Sequence, residues 1–507
     1  MFPPVSNPNL NPGSNQIQPL IQRITTALVR GQLAAAEQDL AMLARMSPQG
    51  SETYRLRGQL RTMQGRFLEA ERALTTAQQA APKDIGILMA IAQLRFRQGQ
   101  FDRMVETLEQ SLKIKPNHVP ALGLLANARR RQGQPRLALK ILERIPKSPA
   151  SAISAAWAHY DLGEFERVIE VINPVLSQPD NSADFGPVNR AQAHQIRGLA
   201  LERLGRYDAA VAAYTAANST IPVRFDFDRY QSWIADVKKT FSAEAWPTLA
   251  RSTNDSERPV FIASLPGSGI ALIETIIAAH PQATDAGDVE VVRRQVEGLM
   301  KPELADSWPT ITKELVGVDL LNSCASRYLE ATNVFGPTAL RTADKQLYNW
   351  IYIGLLGQLF PKARVIHIDR DPVDVGISCF ERVAATVAPW SASLTHLGSV
   401  IRVYRELMEH WKALQPLPIL SVSYERLLRH PEEETKRIIE FLGLPWDPAC
   451  LASLSSLRRA ADASGGRFIA PSADGDSGMQ LDESSIGRGV RFGKALDPLR
   501  KALAGEA

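Results

Sequence analysis

The chain has 507 residues, more than one ordinary hydrophobic core organises, so two or three domains are expected. With 45% hydrophobic and 22% charged residues it has a globular composition, which excludes a low-complexity or fibrous chain. A net charge of +4, from 58 Lys+Arg against 54 Asp+Glu, is too small for its length to indicate nucleic-acid binding, although it leaves room for a basic pocket around a small anion. No run approaches about 18 apolar residues, so no membrane-spanning helix is expected. The N-terminus MFPPVSNPNLNPGSNQ has neither a basic start nor an apolar run, which argues against a signal peptide. Cys324, Cys379 and Cys450 are scattered and odd in number; reduced thiols in a cytoplasmic compartment are the expectation.

In chain order, residues 1–15 are rich in Pro and Asn and predict disorder. Gly31, Gly65, Gly99 and Gly133 then recur at steps of 34 residues, with Pro48, Pro82 and Pro116 in phase. Two residues after each glycine stands a bulky or ring residue (Leu33, Phe67, Phe101, Pro135), and five after it a small or apolar one (Ala36, Ala70, Met104, Ala138). That is the tetratricopeptide period: helix, glycine turn, helix, proline stop. Two further units turn at Gly163 and Gly205, with Val168 and Ala210 at the small position. Pro146 closes the fourth unit early, which predicts a second helix about one turn short. The surplus in the next step falls in 174–187, read as a loop. About six helical pairs over 16–218 thus predict an all-α solenoid whose groove suits an extended peptide or partner segment. A packing helix over Phe225–Phe241 and a surface linker over 252–256 fill residues 219–257.

From residue 258 the pattern changes to strands alternating with helices. The expected strands are 260–264, 364–369 and 419–424, and the expected helices 273–279, 347–359 and 432–442. Alternation of this kind predicts a parallel sheet covered on both faces, with ligands at the carboxyl ends of its strands. The first strand runs into Leu265-Pro266-Gly267-Ser268-Gly269, a glycine loop that opens a helix. Such a loop cradles a phosphate with backbone amides and the positive end of the helix dipole. It lacks the Lys-Ser/Thr pair of a nucleoside-triphosphatase loop. Strand 364–369 ends at Arg370, and Ser378 follows two turns along the next helix. Together they can hold one phosphate, by guanidinium fork and hydroxyl, unless Arg370 pairs with Asp371 or Asp374.

These residues resemble a known family. The strand–PxSG–helix unit closing on Ala279-His280-Pro281, then Ala286-Gly287-Asp288, Asp344-Lys345, Arg370-Asp371-Pro372 with Ser378, Tyr424-Glu425-Arg426-Leu427, and Ser484-Ser485-Ile486-Gly487-Arg488 are similar to the tetratricopeptide-repeat sulfotransferases. Their catalytic half is similar to protein-tyrosine sulfotransferase and uses 3′-phosphoadenosine 5′-phosphosulfate (PAPS). The resemblance implies a P-loop-like sulfotransferase domain over 258–507, with Gly267, Ser268, Gly269, Ile270 and Ala271 around the 5′-phosphosulfate and Arg370 and Ser378 on the 3′-phosphate. It further implies Lys345 near the bridging oxygen and Asp288 as the base for the acceptor hydroxyl, with Glu290 in reserve. No metal is implied, and none of the eight histidines is spaced as a ligand set. The Gly/Ser/Asp-rich stretch 462–489 reads either as a flexible lid whose Arg488 end closes on the nucleotide or as a plain disordered connection, and Arg488 or Arg491 is the candidate to compensate for side chains missing from the loop.

The chain departs from the family at the loop itself: Gly267, Ile270 and Ala271 stand where the family has Arg, Thr and Thr. Losing a charged donor and two hydroxyls is expected to cost roughly 3 to 6 kcal/mol. Two functions therefore follow from the sequence. One is a PAPS-dependent sulfotransferase acting on a protein or peptide held in the repeat groove; the other is a catalytically degenerate fold used as a scaffold or nucleotide-binding module. Protein tyrosine, carbohydrate hydroxyl and small phenol all remain open as acceptors.

Overall fold

Twelve helices open the computed structural model, which describes residues 14–287 (apart from 30, 99, 180–184 and 221), 309, 317–383, 388–463, 467–469, 478–480 and 483–506. Packed as pairs are α1 (Ser14–Val29) with α2 (Leu33–Met46), α3 (Ser51–Met63) with α4 (Phe67–Ala80), α5 (Ile85–Arg97) with α6 (Phe101–Ile114), α7 (Val119–Arg131) with α8 (Pro135–Leu142), and α11 (Pro187–Arg203) with α12 (Tyr207–Ser219); α9 (Pro149–Asp161) and α10 (Phe165–Leu176) come between the fourth and the last pair in the sequence. The turn glycines Gly31, Gly65, Gly133, Gly163 and Gly205 all have φ between +69° and +75°. The amide after each reaches back five residues, as Arg66 N to Arg61 O at 2.8 Å, and so satisfies a helix-end carbonyl. Only glycine takes that conformation without strain. At the small position Ala36, Ala70, Met104, Ala138, Val168 and Ala210 are all sealed from solvent.

Two details differ from expectation. Helix α8 has eight residues where α2, α4 and α6 have 14, a loss of more than one turn, because Glu143 to Ile145 close as turns ahead of Pro146. Helix α10 runs through Pro174 to Leu176, although 174–187 reads as a loop. Pro174 forfeits one helical hydrogen bond, but Val175 extends the buried stripe of Val168 and Ile172 and keeps the turn in place.

The chain divides into two compact units, residues 1–167 and most of 168–507. The last helical pair thus belongs to the same unit as the sheet. In that second unit α13 (Phe227–Thr240) begins on Asp226, whose carboxylate accepts the Arg229 amide at 3.0 Å. The 252–256 linker is fastened rather than merely superficial: Ser252 is buried, its amide reaching Gln358 O at 2.7 Å and its hydroxyl Asn322 at 2.7 Å.

The α/β part follows as β1 (Pro259–Ala263), α14 (Ile270–Ala278), β2 (Ala283–Asp285), α15 (Val318–Asn333), β3 (Arg341–Asp344), α16 (Asn349–Leu359), β4 (Arg364–Asp369), α17 (Pro372–Phe380), α18 (Leu394–Leu414), β5 (Ile419–Ser423), α19 (Tyr424–Arg429), α20 (Pro431–Phe441) and α21 (Pro448–Ala463). After these come β6 (Arg467–Ile469) and β7 (Gly478–Gln480), an antiparallel pair within the expected lid, then α22 (Arg488–Arg491) and α23 (Asp497–Ala504). The main sheet is wholly parallel, in the order β2-β3-β1-β4-β5. β1 is central because every residue of PVFIA is buried, and α16 is buried along its whole length. Strands β2 and β3 were not expected. They have three and four residues, and Ala-Thr-Asp and Arg-Thr-Ala-Asp carry no apolar run to mark them.

Two helix glycines of the first unit should respond in opposite directions to alanine. A Cβ at Gly58 would overlap the Leu74 side chain, whereas one at Gly123 meets open space. Gly58→Ala is expected to cost about 1 to 3 kcal/mol and Gly123→Ala to gain about 0.5 to 1 kcal/mol. Thermal unfolding of each variant checks the signs; a stabilised Gly58→Ala would contradict the packing described.

Candidate functional site

The loop after β1 is shaped by two glycines in the left-handed region, Gly267 at φ +84° and Gly269 at φ +105°. Gly269 stands directly before α14, whose first amides have no acceptor inside the helix. Both positions are crowded as well as strained. A Cβ at Gly267 would lie 2.9 Å from Ser378 Cβ and 3.3 Å from the Cys379 amide nitrogen; one at Gly269 would lie 2.5 Å from the Tyr424 ring. The loop is therefore pressed against α17 on one side and α19 on the other. Ser268 is buried, and its amide donates to Leu265 O at 3.2 Å.

Strand β4 lies beside β1 and delivers Arg370 to the same loop. One terminal nitrogen of the guanidinium donates to Gly267 O at 2.6 Å and the other to Ser485 O at 3.0 Å, while its carbon sits 4.2 Å from the Tyr424 ring centroid. The Tyr424 hydroxyl is 2.9 Å from Ser485 Oγ. These bonds use two of the five N–H donors of an arginine, and the buried Nε has no acceptor among the described residues. Neither neighbouring acid pairs with it. Asp371 caps α17 through the amides of Val373 and Asp374, and Asp374 accepts the amides of Gly487 at 2.7 Å and Gly489 at 2.6 Å. Burial pushes the Asp374 carboxyl up, and the Gly489 amide and Arg370 oppose the shift.

Arg488 is used differently. Its Nη1 is 3.4 Å from Ser378 Oγ, but the rest of the guanidinium is clasped by two carboxylates. Nε donates to Glu202 Oε1 at 2.6 Å, and Nη2 contacts both Glu202 and Glu381. Arg488 and Glu381 are buried, and Glu202 is nearly so. Burial alone would lower the arginine's affinity for its proton, yet the two carboxylates outweigh it and hold the guanidinium charged. Arg491 donates to Ser484 O. Glu202 comes from α11, and the last helical pair also closes the carbonyl end of α17: Asn218 donates to Phe380 O at 2.8 Å and Gln195 to Glu381 O at 2.8 Å.

Lys345 follows β3, and its Nζ lies 2.7 Å from Glu274 on α14. Glu274 is buried in an otherwise almost wholly apolar helix. Burial, then the nearby charge of Asp285, raises its pKa to about 7 against the opposing pull of Lys345. Among the sequence-derived site residues, the structure thus gathers Gly267, Ser268, Gly269, Ile270, Ala271, Arg370, Ser378 and Arg488 around one loop, and places Lys345 at the next strand tip. Asp288 and Glu290 lie outside the described residues. Tyr424, Glu274, Glu202 and Glu381 carry contacts that the sequence reading had not assigned. A lone carboxylate in IALIETIIA is a visible anomaly; Glu202 gives no such signal. The three cysteines are unpaired and buried, with Cys379 pushed up to about 12 by burial.

Residues 259–448 match the sulfotransferase family, and residues 21–85, 95–155 and 191–222 match tetratricopeptide repeats. The chain carries a sulfotransferase domain behind a tetratricopeptide-repeat array. An uncharacterised protein of Aquifex aeolicus is 28% identical over 324 residues, 62% of this chain and 42% of its own length. Protein-tyrosine sulfotransferase A of Caenorhabditis elegans is 26% identical over 231 residues, covering 40% of this chain and 57% of that protein. Sulfotransferase 1A1 of Bos taurus is 28% identical over 211 residues, covering 40% and 61%. The chain thus spans about half the length of these relatives. Among the described residues no helix is long and apolar enough to cross a membrane, and no cluster of His, Cys, Asp and Glu is arranged to hold a metal ion.

The clasp on Arg488 makes an ordered prediction within the sulfotransferase unit. Arg488→Met leaves two buried carboxylates facing each other and should cost about 3 to 5 kcal/mol. Glu202→Gln leaves Arg488 neutralised by Glu381 and should cost less, about 1 to 3 kcal/mol. Urea unfolding measures both, and the reverse order would contradict the clasp.

Proposed function

We propose that this chain is a PAPS-dependent sulfotransferase acting on a hydroxyl acceptor. The observation that carries the reading is Arg370: a buried guanidinium bonded to the anion loop itself, stacked on Tyr424, with no ion-paired carboxylate among the described residues and an unspent Nε donor. A buried cation with no directly paired carboxylate among the described residues, at adjoining strand tips and beside a loop of positive-φ glycines, suits a multiply charged anion. Arg370 and Ser378 would hold the 3′-phosphate, and the backbone of Gly267 to Ala271 with the Ser268 hydroxyl would receive the 5′ end. Bound PAPS would supply the sulfuryl group, its bond to the 5′-phosphate oxygen breaking as the acceptor oxygen bonds to sulfur. Lys345 is suited to neutralise the departing phosphate, and Asp288, with Glu290 in reserve, to take the acceptor proton. A protein or peptide acceptor is supported by the repeats, a binding architecture, and we place the reaction in the cytoplasm, which the unpaired thiols support.

A second reading has its own observation. Even a Cβ at 267 would press on Ser378 and the α17 backbone, and Ile270 and Ala271 offer no hydroxyl. A domain that binds the nucleotide without turning it over fits those facts.

Calorimetry with 3′,5′-bisphosphoadenosine, followed by transfer from labelled PAPS to a tyrosine peptide, separates the two. Saturable binding that Arg370→Ala weakens at least 100-fold is expected, because two or three charge-assisted bonds at about 1.5 to 3 kcal/mol each are lost. Binding together with transfer supports the enzyme, binding alone the mute module, and an Arg370→Ala protein that binds normally would remove the basis of both. Gly267→Arg should not raise transfer, since the left-handed backbone and the Ser378 wall reject the side chain.

A further inference from the structure

Helix α14 presents one carboxylate, and it faces a lysine. Glu274 stands one turn into the helix that follows the anion loop, Asp285 ends β2, and Lys345 follows β3, so three neighbouring tips bring two carboxylates and one ammonium together. Glu274 is buried, whereas the Lys345 side chain keeps about a quarter of its surface open (27%). A buried carboxylate beside a second one is costly where hydration is poor unless one of the two can be neutralised. A lysine on four rotatable bonds can leave such a partner; a buried glutamate on a rigid helix cannot follow.

We infer that Glu274 is a positioning residue that holds Lys345 in reserve, releasing it to the 5′-phosphate end of the nucleotide and taking up a proton in its place. This rests on the reading that Lys345 serves the leaving phosphate. Without nucleotide, the ammonium is parked 2.7 Å from Glu274. When Lys345 turns to the phosphate, Glu274 keeps only burial and Asp285 for company, and both favour the protonated acid. The other described groups of α21 that pack on α14 are uncharged at neutral pH: the Ser453 hydroxyl, 3.3 Å from Thr275 O, and the Cys450 thiol, pushed up to about 11.

The sign follows from linkage. With the resting pKa at about 7, Glu274 is already protonated below that pH and releases Lys345 at no cost. Above it, one proton must be bound for each nucleotide bound, so affinity falls as pH rises, approaching tenfold per pH unit. The device also keeps the lysine's charge away from the site until an anion claims it, which limits spurious activation of the donor.

The test is calorimetry on the full chain with 3′,5′-bisphosphoadenosine at pH 8, in buffers of different ionisation enthalpy, comparing wild type with Glu274→Gln and Lys345→Met. Wild type should take up close to one proton more than either variant, the ligand's own ionisation being common to all three. Its Kd should weaken about tenfold from pH 8 to 9 relative to Glu274→Gln. Equal proton uptake in proteins that all bind would overturn the exchange while leaving the donor site standing. Absence of binding by wild type would overturn the donor reading and this inference with it.

Discussion

Arg370 is the group on which the geometry of the strand tips depends. Its guanidinium joins the glycine loop through Gly267 O, the C-terminal segment through Ser485 O, and α19 through the Tyr424 ring. Because those hydrogen-bond partners are backbone carbonyls and not carboxylates, the bonds fix the guanidinium in place without themselves neutralising it. Hydrogen bonds to carbonyls orient an arginine without neutralising it, which is the part the proposed phosphate would play. Arg488, also buried, has the opposite surroundings, with Glu202 and Glu381 on either side. One arginine is the proposed phosphate ligand, and the other is an ion-paired cross-link.

That cross-link explains why the last helical pair belongs to the sulfotransferase unit. Glu202, Gln195 and Asn218 all reach the end of α17, the helix that carries Ser378. The two side-chain amides satisfy terminal carbonyls that would otherwise be stranded, and the carboxylate holds the arginine beside Ser378. Gly489 closes the arrangement, since a Cβ there would meet Val373 at 2.6 Å. Repeat helices α11 and α12 therefore brace the proposed 3′-phosphate site, whatever the preceding pairs bind.

The repeats were legible because their signal is backbone chemistry: glycines at positive φ, prolines that stop helices and small residues at buried contacts recur in the sequence itself. The long apolar strands β1 and β4 were legible for the same reason. Strands β2 and β3 were not, since they are short, polar and held by the register of their neighbours. Gly267, Arg370 and Ser378 could be named from pattern, but their closeness came from two strands separated by about a hundred residues. Glu202 was beyond reach, because a surface-type residue in an amphipathic helix gives no hint that a distant arginine will bury it. Tyr424 was visible in a motif, yet its contacts with both Arg370 and Gly269 exist only after folding.

The account's central claim is that Arg370 keeps a donor in hand for a phosphate. A crystal structure of the chain with 3′,5′-bisphosphoadenosine tests it most directly. The account predicts a phosphate within hydrogen-bond distance of Arg370 Nε and Ser378 Oγ, with the Gly267 to Arg370 bond retained; a nucleotide bound elsewhere, or one that leaves Arg370 Nε without an acceptor, would contradict it.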